Sequence, residues 1–86
     1  MTKRETQIEI NKMDLKTKVG ERISQLRKAK KLSQQQFSYE AEMERTYISH
    51  IEKGRKNISL STLEKVLGGL DISLKDFFDT KDFSKP

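Results

Sequence analysis

Apolar side chains recur with helical spacing through the middle of the chain. Val19, Ile23 and Leu26 stand at i, i+4 and i+7, which predicts a helix over Thr17 to Lys30 with one buried stripe. Two shorter patterns follow between Leu32 and Gly54, in LSQQQFSYEAEMERTYISHIEKG. Phe37 and Ala41 share one face at i and i+4, and Ile48 and Ile51 share another at i and i+3. Ser33 and Gln36 have capping-box spacing, so the first of these helices begins at Gln34. The second spans about Glu44 to Lys53, with a carboxylate suited to its positive end and Gly54 as its stop. Farther on, Leu60, Leu63, Val66, Leu67 and Leu70 form a wide apolar stripe. Ser61 and Glu64 supply a second capping box, and Gly68 and Gly69 mark that helix's end. Ser73 caps a short last helix, Leu74 to Phe78. The pattern as a whole predicts an all-α fold, a compact five-helix bundle.

The two ends carry little of this periodicity. Residues 1–16 are a polar lead-in, MTKRETQIEINKMDLK, in which Ile8 and Ile10 alternate with polar neighbours while Met13 and Leu15 fit no single period with them. A disordered extension, a dimer-stabilising segment and a DNA-touching arm all suit it. The domain is expected to occupy residues 17–79, and residues 80–86 form a polar tail whose only large apolar group is Phe83.

With 86 residues the chain supports one domain and a small core, which oligomerisation would help to stabilise. Its 18 Lys plus Arg against 13 Asp plus Glu leave a charge of +5, which favours polyanionic partners. The absence of cysteine excludes disulfides, thiol nucleophiles and cysteine metal sites, and a single His makes a histidine zinc site improbable. No metal and no cofactor are expected. No run is apolar enough for a membrane span or a secretory leader, so a soluble, cytoplasmic protein without membrane or small-molecule partners is expected.

The helix around Ile48 and Ile51 directs its chemistry outward. With both isoleucines turned to the core, Arg45, Thr46, Tyr47, Ser49 and His50 face partly or wholly out. Arg suits bidentate contact with guanine, Thr and Ser donate or accept, and the Tyr hydroxyl can reach a phosphate or a base. Lys53, Arg55, Lys56 and Asn57 follow as a basic turn suited to phosphates. The free amides and side chain at Gln34, with the Gln35 amide, suit one more phosphate at the start of the preceding helix.

These segments resemble the helix-turn-helix domains of the phage Cro and repressor type, a lambda-repressor-like architecture. RTYISHIEKGRKNISLSTLEKV is especially similar to the small controller proteins of restriction-modification operons. The likeness covers Val19 to Phe78 and rests on LSQ, RTYIS, IEKG and SLSTLEKV together. Two positions depart from the family pattern: Glu42 stands where the inter-helix turn usually has Gly, and Ser38 replaces a usual Ala.

The resemblance implies a sequence-specific regulator of transcription that binds double-stranded DNA as a homodimer on a pseudo-palindromic operator of its own operon, repressing or activating by position. It places Arg45, Thr46, Ser49 and Tyr47 against bases, and Gln34, Gln35, Lys53, Arg55, Lys56 and Asn57 against phosphates. It also implies an ion pair between Arg27 and Glu52. Ile72, Leu74, Phe77 and Phe78 are shared between core and dimer interface in this reading. The rival is an antitoxin or protein-interaction adaptor that keeps the fold, which has no need of the exposed run from Arg45 to Ser49. An enzyme is excluded by the lack of any catalytic set, and RNA is a poorer fit than DNA because the major groove of A-form helices is deep and narrow and aromatic stacking platforms are lacking.

Overall fold

In the computed structural model, which describes residues 14–84, the first helix starts two residues before the expected Thr17. Asp14 is the reason. Its backbone is extended (φ −75°, ψ 178°), and its Oδ1 accepts the Thr17 amide at 3.0 Å, so α1 runs Leu15–Ala29. Hydrogen bonding from Thr17 lowers the Asp14 carboxyl below the ordinary aspartate range. Leu15 and Lys16 therefore belong to the domain; Ile8, Ile10 and Met13 lie outside the described residues.

Four more helices follow: α2 (Gln34–Ala41), α3 (Arg45–Glu52), α4 (Leu60–Leu70) and α5 (Leu74–Phe78), then a single 3-10 turn at Lys81–Phe83. No strand occurs among the described residues. In space, α2 packs chiefly on α4 and α1 on α3. Val19 and Ile23 from α1, Phe37 and Ala41 from α2, Ile48 and Ile51 from α3, Val66 and Leu70 from α4 and Phe77 from α5 form one buried core. Each of its large side chains stabilises the fold by about 1.5–3 kcal/mol relative to exposure.

Two expectations about α4 are corrected. Its cap is Ser59, whose Oγ accepts the Thr62 amide at 3.1 Å. The stretch NISLST offers two capping serines, and the earlier one adds half a turn of helix in the same register; Ser61 lies inside the helix with its Oγ 3.0 Å from that of Ser59. The added half turn carries Leu60 beyond the bundle, where it is 82% exposed. Nor do Gly68 and Gly69 end the helix. It continues to Leu70 and stops at Asp71, which adopts the left-handed conformation (φ 53°).

The C-terminal end is held from α1. Arg22 donates from Nε to the Phe77 carbonyl at 2.7 Å and from Nη2 to the Asp76 carbonyl at 2.8 Å, satisfying the end of α5. Phe77, expected as a candidate dimer residue, is fully buried and belongs to the core. Beyond the expected boundary at residue 79, Phe83 folds back with its ring centroid 4.8 Å from that of Phe78, so the packed domain extends through the 3-10 turn. The same ring also stacks on core Phe77 at 6.4 Å between centroids.

Candidate nucleic-acid interface

The turn between α2 and α3 sets the angle of the reading helix. Glu42 sits there with φ 55° and ψ 48°, the left-handed geometry that usually falls to glycine, at a cost on the order of 1 kcal/mol. Two backbone bonds close the turn: the Glu42 amide to the Tyr39 carbonyl at 3.3 Å, and the Met43 amide to the Ser38 carbonyl at 2.9 Å. Ser38 is buried against this corner and turns its hydroxyl inward, donating to the Gln35 carbonyl at 2.6 Å. A hydroxyl is therefore accommodated where only a methyl was needed.

Glu44 then opens α3 in extended conformation, and its side chain makes no capping bond. The first amides of α3 thus have no side-chain cap, and the carboxylate contributes through charge alone. Ile48 and Ile51 are buried at 1% and 2% exposure. On the other face Arg45 and Thr46 are exposed, while Ser49 and His50 are half-buried. Tyr47 is also half-buried and packs on the edge of the core.

Past α3 the chain turns at Gly54 (φ 74°), closed by the Arg55 amide on the His50 carbonyl at 3.0 Å. Lys53, Arg55, Lys56 and Asn57 are all exposed there. Arg45 and Lys53 stand at opposite ends of α3, separated by about 12 Å of helix rise. The base-reading candidates and the basic turn therefore address different stretches of any ligand.

At the start of α2 the capping box is complete. Ser33 Oγ accepts the Gln36 amide at 3.0 Å, and Gln36 Oε1 accepts the Ser33 amide at 2.8 Å. That leaves the Gln34 and Gln35 amides without an intrahelical partner, as the first turn of any helix must. Gln35 is exposed, whereas the Gln34 side chain turns inward and donates from Nε2 to Glu52 Oε1 at 3.1 Å. Arg27 and Glu52 form a two-bond ion pair, Nε to Oε2 at 2.7 Å and Nη2 to Oε1 at 3.0 Å. The pair ties α1 to the last residue of α3, and Arg27 Nη1 also holds the Leu32 carbonyl at 2.7 Å.

One feature had no trace in the one-dimensional pattern. An apolar cavity of about 250 Å³ opens beside α1, lined by Leu15, Val19, Ile58, Leu60, Leu63 and Phe78 among others, with Lys56 and Asn57 at its border. Its walls come from residues far apart in sequence, so spacing alone could not assemble it.

A helix-turn-helix family model matches residues 23–77, from the middle of α1 to α5. The control protein C.MunI from a Mycoplasma species is 44% identical over 66 residues, 76% of this chain and 89% of that protein. The chain belongs to the helix-turn-helix family of controller proteins. Among solved structures, the wild-type restriction-modification controller C.Esp1396I is 35% identical with a TM-score of 0.73, over 76% of this chain and 84% of that one. The same controller, as a tetramer in complex with its natural 35 base-pair operator, matches with 34% identity and a TM-score of 0.78, over 83% and 96% of the two chains.

Proposed function

We propose that the chain is a sequence-specific transcriptional regulator, not an enzyme, that binds a pseudo-palindromic operator in double-stranded DNA, controlling a restriction-modification operon that includes its own gene. The observation that carries this reading is the two-sidedness of α3. Ile48 and Ile51 anchor it from behind while Arg45 and Thr46 project from its first turn, the arrangement a helix needs to enter a major groove with its N-terminal half against base edges. The likeness to a controller seated on its operator supports the same reading.

In this proposal Arg45, Thr46, Ser49 and Tyr47 contact bases, and the α2 terminus at Gln34 and Gln35 grips a phosphate. Lys53, Arg55, Lys56 and Asn57 hold the backbone beyond, fixing register without reading sequence. One short helix reads only a few base pairs, so the active species is a homodimer with half-sites about one DNA turn apart. Leu60 and the apolar cavity beneath it, which Phe78 also lines, provide apolar surface for the second copy; Leu74 at 55% exposure and half-buried Ile72 are further candidates. Among the described residues no helix is long and apolar enough to cross a membrane, and action in the cytoplasm is part of the proposal.

Selection of bound sequences from a pool of random duplex DNA tests this. The expected product is a two-fold symmetric motif with half-sites one turn apart. Recovery of an unenriched pool would overturn the proposal.

A further inference from the structure

Two segments of chain converge on the Glu52 carboxylate at the end of α3. Arg27 from α1 occupies both of its oxygens, and Gln34 from the first position of α2 donates to Oε1 at 3.1 Å. The Arg27 and Glu52 side chains keep only 10% and 6% of their exposure. A carboxylate without a proton has no hydrogen to give, so the Gln34 atom facing it must be Nε2, which fixes the orientation of the carboxamide. One amide hydrogen is engaged by Glu52. The other remains available beside the unpartnered backbone amides of Gln34 and Gln35.

A lone carboxylate at this distance would repel a phosphate, but the two bonds from Arg27 cancel its charge locally. A glutamine at the start of a helix would otherwise lose much rotamer freedom on gripping a ligand, and here that freedom is already lost before the ligand arrives. We infer that Glu52 is a positioning residue for the DNA backbone, acting through Gln34: it holds the carboxamide oriented to donate to a phosphate oxygen. Because Glu52 is also the last residue of α3, one side chain locks the phosphate grip at α2 to the helix that reads bases. The inference rests on the DNA-binding reading above.

The test is a double-mutant cycle read by fluorescence anisotropy with a fluorescein-labelled, random-sequence DNA duplex. Four proteins are compared: wild type, Gln34→Ala, the pair Arg27→Met with Glu52→Met, and all three changes together. Gln34→Ala is expected to weaken binding roughly tenfold in the wild-type background, the worth of one hydrogen bond to a charged group, and less than about twofold once the ion pair is gone. The Met pair removes one charge of each sign, so the dependence of affinity on salt should not change. Equal losses in both backgrounds would overturn the positioning role and leave the DNA reading intact. A wild type that binds no duplex would overturn both.

A second measurement needs no variant. In nitrogen-15 spectra of the wild type, the two side-chain amide protons of Gln34 should be well separated compared with those of exposed Gln35, and duplex DNA should shift chiefly the one not held by Glu52. Coincident behaviour of the two glutamines, free and bound, would overturn the inference.

Discussion

Gly69 and Ala41 meet so closely that α4 and α2 touch almost backbone to backbone. A Cβ at Gly69 would lie 2.9 Å from the Ala41 methyl carbon and 2.8 Å from the edge of the Phe37 ring. Gly68, one position earlier, has open space around it. Two adjacent glycines in one helix therefore have opposite expected responses. Gly69→Ala should destabilise by about 1–3 kcal/mol through overpacking, whereas Gly68→Ala should stabilise by roughly 0.5–1 kcal/mol through helix propensity. Urea melts of the two variants decide it, and equal shifts in the same direction would contradict this packing.

The Arg27–Glu52 pair yields a second prediction. Breaking it from one side leaves a buried charge uncompensated, so Glu52→Met or Arg27→Met alone should cost about 3–5 kcal/mol. The double replacement by Met keeps the packing and removes both charges, so most of that loss should be recovered. Additive losses in thermal melts would show that the two residues do not act as a pair.

How far these features were legible in the sequence depends on how local their causes are. The α2 capping box could be read from Ser33 and Gln36 because both partners lie within one turn, and the inward face of α3 from two isoleucines three residues apart. Ser61 is not the cap because two serines compete in NISLST and Ser59, the earlier one, takes the Thr62 amide. The glycine pair misled for a related reason: Gly usually ends a helix, but Gly69 is needed for contact with Ala41, twenty-eight positions away in the chain. Asp14 was missed although its signal was present, an Asp three residues before Thr17 with a helix to follow. The cavity under Leu60 left no local signal at all.

Asp14 makes the start of α1 sensitive to acid. Its carboxyl is held below the ordinary value by Thr17, so it favours the folded first turn above the unfolded pKa, near 4. That contribution fades as pH falls through the lower, folded value. Hydrogen exchange at the Thr17 amide should accelerate, relative to amides deeper in α1, as pH drops through this range. Asp14→Asn keeps a capping oxygen without a titrating proton, and should abolish the dependence. An Asn variant with the same acid response would refute the assignment.

Leu60 tests the homodimer. It is 82% exposed at the first position of α4, above an apolar cavity, so Leu60→Asp should leave the melting of the isolated subunit nearly unchanged, within about 0.5 kcal/mol. It should nevertheless turn a dimer into a monomer in analytical ultracentrifugation. Operator affinity would fall with it, since each half-site then binds alone. An unaltered dimer would move the interface elsewhere on the surface.

Arg45 and the basic turn should fail differently when truncated, and that difference separates reading from gripping. Arg45 is exposed in the first turn of α3, and in the proposed docking its guanidinium meets base edges as a fixed fork. Arg45→Ala should therefore lose about 1–3 kcal/mol on the selected operator, and much less on scrambled DNA. Lys53→Ala, Arg55→Ala and Lys56→Ala remove cations at the far end of α3 and in the turn beyond it. Each should weaken operator and scrambled duplex alike, and lower the slope of log affinity against log salt by about 1. Gel-shift titrations at several salt concentrations measure both quantities at once. Equal losses of operator preference from both groups of variants would mean that α3 does not lie in the groove as proposed.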